Sequence, residues 1–332
     1  MVGVIIFAVI IPFLVGDYWF SAILIPFMAF TLAAIGLNLL FGYCGQVSLG
    51  HAAFMAVGGY TATVLYIHHV PWPVSVFAAG LMTALVGLLF GLPCARLKGF
   101  YLLMATFAAQ FTLPWVISRV VPLLVPAGLA VAGGDTVYPP VATIFGWEVD
   151  SYFERYFVSL AILMVMTVFA MNLVRSRIGR AWVAIRDHDV AANILGFNLA
   201  RYKLLAFAIS SFYAGIAGSL LVFFYYGNAH AGEFSVDLSL LMLAVVILGG
   251  MGSIIGNYFG TAVIITVPIL LNRFLMALGH LSGIPITSGL VGGVQAIVYG
   301  ALIIFFLIVE PLGLAKLWKN VKDYFRLWPF AY

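Results

Sequence analysis

Side chains able to act as nucleophiles, bases or metal ligands are few in this sequence, and they are scattered. Cys44 and Cys94 are the only cysteines, which excludes a disulfide scaffold. His68 and His69 stand beside Pro71, an arrangement that reads as an interfacial turn or as part of a metal site. No paired Cys/His ligand set and no H-E-x-x-H motif accompanies them. Ser48 lies in a stretch without a G-x-S-x-G elbow. The sequence has no G-x-x-x-x-G-K-[ST], so the chain carries no phosphate loop of its own. A proton-coupled carrier needs acids or histidines deep in its helices. Here Arg273 is the main charge inside an apolar stretch, and Glu310 closes another. No catalytic residue and no metal site is expected, and coupling energy has to enter from outside this chain.

What does recur is glycine beside small polar residues. The first such stretch is Gly42-Tyr43-Cys44-Gly45-Gln46-Val47-Ser48-Leu49-Gly50-His51, and the second is Gly249-Gly250-Met251-Gly252-Ser253-Ile254-Ile255-Gly256. Glycine lets the backbone leave helical angles and lets helices approach closely. Paired interruptions in two halves of a membrane protein point to a translocation route. They are also what a cytoplasmic turn or tight helix packing looks like, and both readings stand at this level. Gln46, Ser48 and His51 are the polar groups expected to be exposed in the first stretch, unless neighbouring backbone satisfies them. Both stretches run into small-residue helices, Ala52–Ala62 and Gly256–Ala262.

A third segment has local helix signals. Asp187 or Asp189 is a good N-cap, and Gly196 is a natural residue for the C′ position. Between them Asp187-His188-Asp189-Val190-Ala191-Ala192-Asn193-Ile194-Leu195-Gly196 predicts a helix of about two turns, with Val190 and Ile194 on one face. So short a helix needs a surface to lie against. That surface is either the lipid headgroups or a cytoplasmic partner.

The elements that carry these residues follow from composition. Hydrophobic residues make up 64% of the chain and charged residues 8%, against about 25% charged in a soluble domain. The mean hydropathy is +1.16, and the solvent is mostly hydrocarbon. A net charge of +4 with basic residues flanking apolar runs gives no nucleic-acid surface. Spans of about 20 residues are predicted near 2–15, 19–41, 51–67, 72–93, 100–118, 156–174, 204–227, 239–250, 257–278 and 290–309. The first and eighth are short, and the first, with no basic stretch before it, reads as a membrane segment rather than a signal peptide. The fold expected is all-α, a single polytopic membrane domain over 1–332 with about ten helices, some broken or short. The runs lack the alternation of barrel strands.

Twelve of the fifteen Lys and Arg fall in the 95–99 loop, the 175–203 loop and the 312–332 tail. Ten spans put all three on one face with both termini, and basic residues mark that face as cytoplasmic. The same orientation keeps both cysteines near the cytoplasm and reduced. Trp19, Trp72, Trp115, Trp182 and Trp318 lie near span ends, as interface anchors do. Arg273 has two readings, an anchor snorkelling to the outer interface or a partner for an anionic solute or a second membrane chain.

The sequence resembles the branched-chain amino-acid permeases of ATP-binding-cassette importers, of LivM/LivH type and closer to LivM. The resemblance rests on Leu37-Asn38-Leu39-Leu40-Phe41-Gly42-Tyr43-Cys44-Gly45-Gln46-Val47-Ser48-Leu49-Gly50-His51-Ala52-Ala53-Phe54. Also similar are Leu97-Lys98-Gly99-Phe100-Tyr101, Arg177-Ile178-Gly179-Arg180-Ala181 through Asp187, and Gly249-Gly250-Met251-Gly252-Ser253 followed by Pro268 and Arg273. It covers about 30–310. It implies a bacterial inner-membrane permease without catalysis of its own, paired with a second permease chain. Two cytoplasmic ATPases that bind ATP and Mg, and a periplasmic substrate-binding protein, would complete the importer.

The resemblance further implies that 187–196 is the coupling helix, with Asp187, Asp189, Val190, Ala191, Ala192, Ile194, Leu195 and Gly196 at the ATPase contact. Asn38, Gln46, Ser48, His51 and Arg273 become the candidates for the translocation pathway. Two places depart from the family pattern, Gly133 to Pro140, and Ile269 where an acid often follows the proline. The solute is therefore left open between branched-chain amino acids and related small polar or carboxylate compounds. A passive channel for a solute such as urea is the alternative.

Overall fold

The computed structural model describes residues 19–94, 99–125, 136–144, 146–282, 288–309 and 313–327. The span expected at 2–15 and the Arg96–Lys98 loop lie outside them.

Apolar helices follow the hydropathy pattern because hydrocarbon offers the backbone no hydrogen-bond partner. In chain order they are α1 (Phe20–Tyr43), α2 (His51–Ile67), α3 (Trp72–Cys94), α4 (Phe100–Leu124) and α5 (Tyr152–Arg175). Two short helices follow, α6 (Arg177–Asp187) and α7 (Asp189–Ile194). The chain continues with α8 (Leu199–Tyr226), α9 (Val236–Gly249), α10 (Ile254–Ser282), α11 (Ser288–Val309) and α12 (Gly313–Leu327). Two antiparallel two-residue ladders decorate one end: β1 (Thr136–Val137) pairs with β4 (Ala229–His230), and β2 (Thr143–Ile144) with β3 (Trp147–Glu148).

Helix α1 and helix α8 form the centre, each with 78% of its apolar window buried, against 28–39% for α3, α4, α5 and α10. Helix α8 packs along α1, α2 and α3. Small residues permit this. A Cβ on Gly58 of α2 would collide with the Gly215 backbone of α8, and one on Gly218 with Met55. The short helices α2 and α9, about 25 and 21 Å long by helix rise, do not reach across a hydrocarbon core of about 30 Å. The glycine stretches beside them supply the remaining chain.

Several expectations change. Helix α4 runs to Leu124 through Pro114 and Pro122, past the end expected at 118. Helices α5 and α8 each begin a turn earlier than expected; Ser151 and Glu154 form a reciprocal capping box at the start of α5. Gly179 lies within α6, against the Val174 backbone. Trp72 and Trp182 are core residues, 1% and 0% exposed, rather than interface anchors. Trp72 packs on Phe223 and Phe224, and Trp182 donates its Nε1–H to Tyr202 O at 2.9 Å. Trp115 and Trp318 are exposed, as anchors should be. His68 and His69 do form a turn, with His69 at φ 63°.

Candidate docking helix and glycine junction

The segment between α5 and α8 is a built device. Ser176 caps α6, accepting from the Ile178 N–H at 3.1 Å, and α6 buries Gly179, Ala181, Trp182 and Ile185. Helix α7 follows after one extended residue. Its N-cap is His188 (φ −152°), not an aspartate: Asp187 closes α6, and Asp189 is the first residue of α7, where its charge still suits the helix dipole.

The end of α7 is a Schellman motif. Phe197 N–H donates to Ala192 O at 3.1 Å and Gly196 N–H to Asn193 O at 3.0 Å, with Gly196 left-handed at φ 88°. Asn198 then caps α8 through the Arg201 N–H at 3.1 Å. Of the residues on this helix, Ala192 alone is buried (1% exposed). Val190, Ile194 and Leu195 are 67%, 80% and 74% exposed. Three large apolar side chains thus stand outward on a short, capped helix.

Arg186, the penultimate residue of α6, joins this device to the two glycine stretches. Its Nη1 donates to Gly42 O at 2.7 Å. Its Cγ lies 3.0 Å from where a Cβ on Gly45 would sit, and its Nη1 3.2 Å from one on Gly252. It also grips Asp187 at 3.0 Å from Nε and 2.9 Å from Nη2, but that pair is open to solvent and contributes little.

The two glycine stretches meet at Asn38, which is fully buried in α1. Its Nδ2 donates to Ser253 O and to Asn257 Oδ1, both at 3.0 Å, and its Oδ1 accepts from the Gly252 N–H at 2.9 Å. Gly42 has no room for a Cβ between Asn38 and Gly252. Two interruptions more than two hundred residues apart are therefore stitched into one junction.

Beyond the junction the chain from Cys44 to Gly50 is non-helical, and Gln46, Ser48 and His51 are 2%, 1% and 1% exposed. Of the two readings open for them, exposure or satisfaction by neighbouring backbone, the structure excludes exposure and buries all three within this chain. The Ser48 hydroxyl accepts from the Gly50 N–H at 3.3 Å. The His51 Nε2 bonds Ala33 O at 2.9 Å, which requires the proton on Nε2. The free N–H groups at the start of α2 are capped from other helices: Ala52 donates to Ser239 Oγ at 2.9 Å and Ala53 to Gln110 Oε1 at 3.0 Å. Gln110 also accepts from Ser239 Oγ at 2.9 Å and donates to Phe234 O at 2.7 Å. Thr106 Oγ1 takes the Leu49 N–H at 3.1 Å. Freed backbone groups are thus satisfied by protein, as membrane depth demands. Cys44 is a free thiol, buried within this stretch.

Arg273 is exposed on α10, nineteen residues beyond Ile254, or about 28 Å along the helix; it does not join the junction. Asn257, Gln110, Ser239 and Thr106 were not singled out from the sequence. Their only signal was that they are polar residues inside apolar spans.

These features define a class: a polytopic α-helical membrane protein with a buried polar seam and a short helix whose apolar side chains face outward. The chain belongs to the family described as "Branched-chain amino acid transport system / permease component", which matches residues 19–307. The high-affinity branched-chain amino acid transport system permease protein LivM of Escherichia coli (strain K12) is 32% identical over 280 residues, 76% of this chain and 63% of that protein. Its Salmonella typhimurium counterpart is 32% identical over 253 residues, 68% of this chain and 57% of that protein. The probable LivM of Methanocaldococcus jannaschii is 24% identical over 331 residues, 89% of this chain and 92% of that protein. The chain thus spans less than two thirds of the length of the two bacterial relatives. No solved structure matches it.

Proposed function

We propose that this chain is the membrane permease of an ATP-binding-cassette importer for branched-chain amino acids or a related small polar or carboxylate solute. It works in the inner membrane with both termini cytoplasmic. Its partners are a second permease chain, two cytoplasmic ATPases that bind Mg and ATP, and a periplasmic substrate-binding protein. Hydrolysis belongs to the ATPases; the part played by this chain is alternating access.

The observation that carries this reading is α7, with Val190, Ile194 and Leu195 exposed and Arg186 tying its root to Gly42 O. A helix seated in an ATPase groove by those three side chains would move as the ATPases close. Arg186 would hand that movement to the glycine junction, where non-helical backbone can change angle at low cost. ATP binding then shifts the population between inward-open and outward-open states. The family membership and the docking helix both favour this over a passive channel, which has no use for such a helix.

The seating of α7 also decides which substitution tests it. Ala192 faces inward, so Ala192→Glu would disturb α7 itself by burying a carboxylate. Gly196→Asp would strain the left-handed C′ position. Val190→Glu combined with Ile194→Glu alters only the outward face. The double variant should insert and purify normally, lose co-purification with the ATPases, and lower uptake by about 30-fold or more, the scale of losing a buried hot spot. Normal uptake by the double variant would overturn the docking assignment.

A further inference from the structure

Helix α12 is used by nothing described above. It starts at Gly313, four positions after α11 ends at Val309, so it begins where the chain leaves the membrane. Leu314, Leu317, Trp318 and Val321 recur at i, i+3, i+4 and i+7 and make one apolar face. Lys316, Lys319 and Lys322 fall on the other side, and Asp323 is the only acid in the helix.

The apolar face is covered only in part by this chain: Leu317 is 40%, Trp318 55%, Val321 47% and Tyr324 66% exposed. The root of the helix, by contrast, is fixed. Gly313 lies against Gly250, with the nearest Gly250 atom 2.5 Å from where a Cβ would be. Ala315 abuts Gly256, and the Trp318 ring sits 5.5 Å from that of Phe259. The open part of the apolar face, Leu317, Val321 and Tyr324, therefore cannot turn into the bundle without the helix leaving the second glycine stretch.

We propose that α12 is an interfacial helix that lies in the bilayer surface and binds anionic phospholipid headgroups. Three observations select lipid over a protein partner. The tether to the last span leaves almost no freedom to leave the surface. The exposed face carries Trp318 and Tyr324, the residue types that settle at the headgroup level. The opposite face is cationic, complementary to the anionic cytoplasmic leaflet. The lipid contact stands independently of the importer reading; only an effect on uptake would rest on it.

The test uses the full chain with Cys44→Ser and Cys94→Ser and a nitroxide label at Val321→Cys or, separately, Asn320→Cys. It is reconstituted in vesicles of phosphatidylcholine alone or mixed with phosphatidylglycerol. With phosphatidylglycerol present, the label at 321 should be more accessible to oxygen than to an aqueous nickel chelate, and the label at 320 the reverse. Raising the salt, or the combined changes Lys316→Gln, Lys319→Gln and Lys322→Gln, should remove the difference between the two lipid mixtures. A label at 321 open to the nickel chelate in both mixtures would mean a free helix and overturn the proposal. A label shielded from both reagents would mean a protein-covered face and overturn it equally. A phosphatidylglycerol effect that survives both salt and the glutamine changes would remove the role of the lysines. Integrity of the altered chains is read from their elution as a single detergent-solubilised species.

Discussion

Asn38 uses both ends of its amide and leaves little slack: two donated bonds, one accepted, all near 3 Å and all to partners more than two hundred residues away. An aspartate would keep the acceptor and lose both donors, adding a charge at a fully buried position. A leucine would match the volume but leave the Gly252 N–H and the Asn257 amide oxygen without this partner. An unsatisfied buried group costs about 1–3 kcal/mol, so Asn38→Leu should lower unfolding stability by roughly 2 kcal/mol or more, read as a lower thermal midpoint in detergent. Stability equal to the parent would mean that the junction is not held by this amide. The sequence announced Asn38 only as part of a family motif. Nothing in its neighbours says that its partners sit around Gly252, because hydrogen bonds between distant residues leave no periodic trace.

Helices in this bundle are set by how near their backbones can come. Apolar packing gives little preference for helix over lipid, so association depends on close van der Waals approach, and small residues supply it. The α2–α8 contact is the clearest case, with Gly58 on Gly215 and Gly218 on Met55. Gly58→Leu should be worse than ordinary overpacking, itself about 1–3 kcal/mol, because the atoms met are backbone and cannot rotate away. The expected result is loss of a monodisperse detergent-purified species. Gly292→Leu on α11, where a Cβ meets nothing within 4 Å, should leave the fold intact and serves as the control. Glycine-rich patterning predicted tight packing or interruption without saying which. The structure uses glycine for both, packing in α2 and α8 and interruption at 44–50 and 250–253.

At the scale of the whole molecule, orientation follows from the basic loops. The proposed topology puts α7 and the basic tail on the cytoplasmic face, and the connection carrying β1 to β3 on the other. This is open to impermeant maleimide labelling, since Ile194 and Tyr138 are both well exposed, at 80% and 51%. In a background without Cys44 and Cys94, Tyr138→Cys should react in intact spheroplasts and Ile194→Cys only in inside-out vesicles. The reverse pattern would invert the assigned topology and separate α7 from any cytoplasmic ATPase.

The sequence by itself determined the solvent, the helical class, the described spans to within about two turns, and the short helix with its glycine stop. Each depends on local composition or on neighbours a few residues apart, and hydrocarbon punishes any backbone that is not locally paired. Tertiary structure alone decided that the two glycine stretches meet at Asn38, that Arg186 reaches Gly42, and that Ala192 faces inward while Ile194 faces out. Those outcomes depend on which helices come to lie side by side, and shape complementarity summed over the whole bundle settles that.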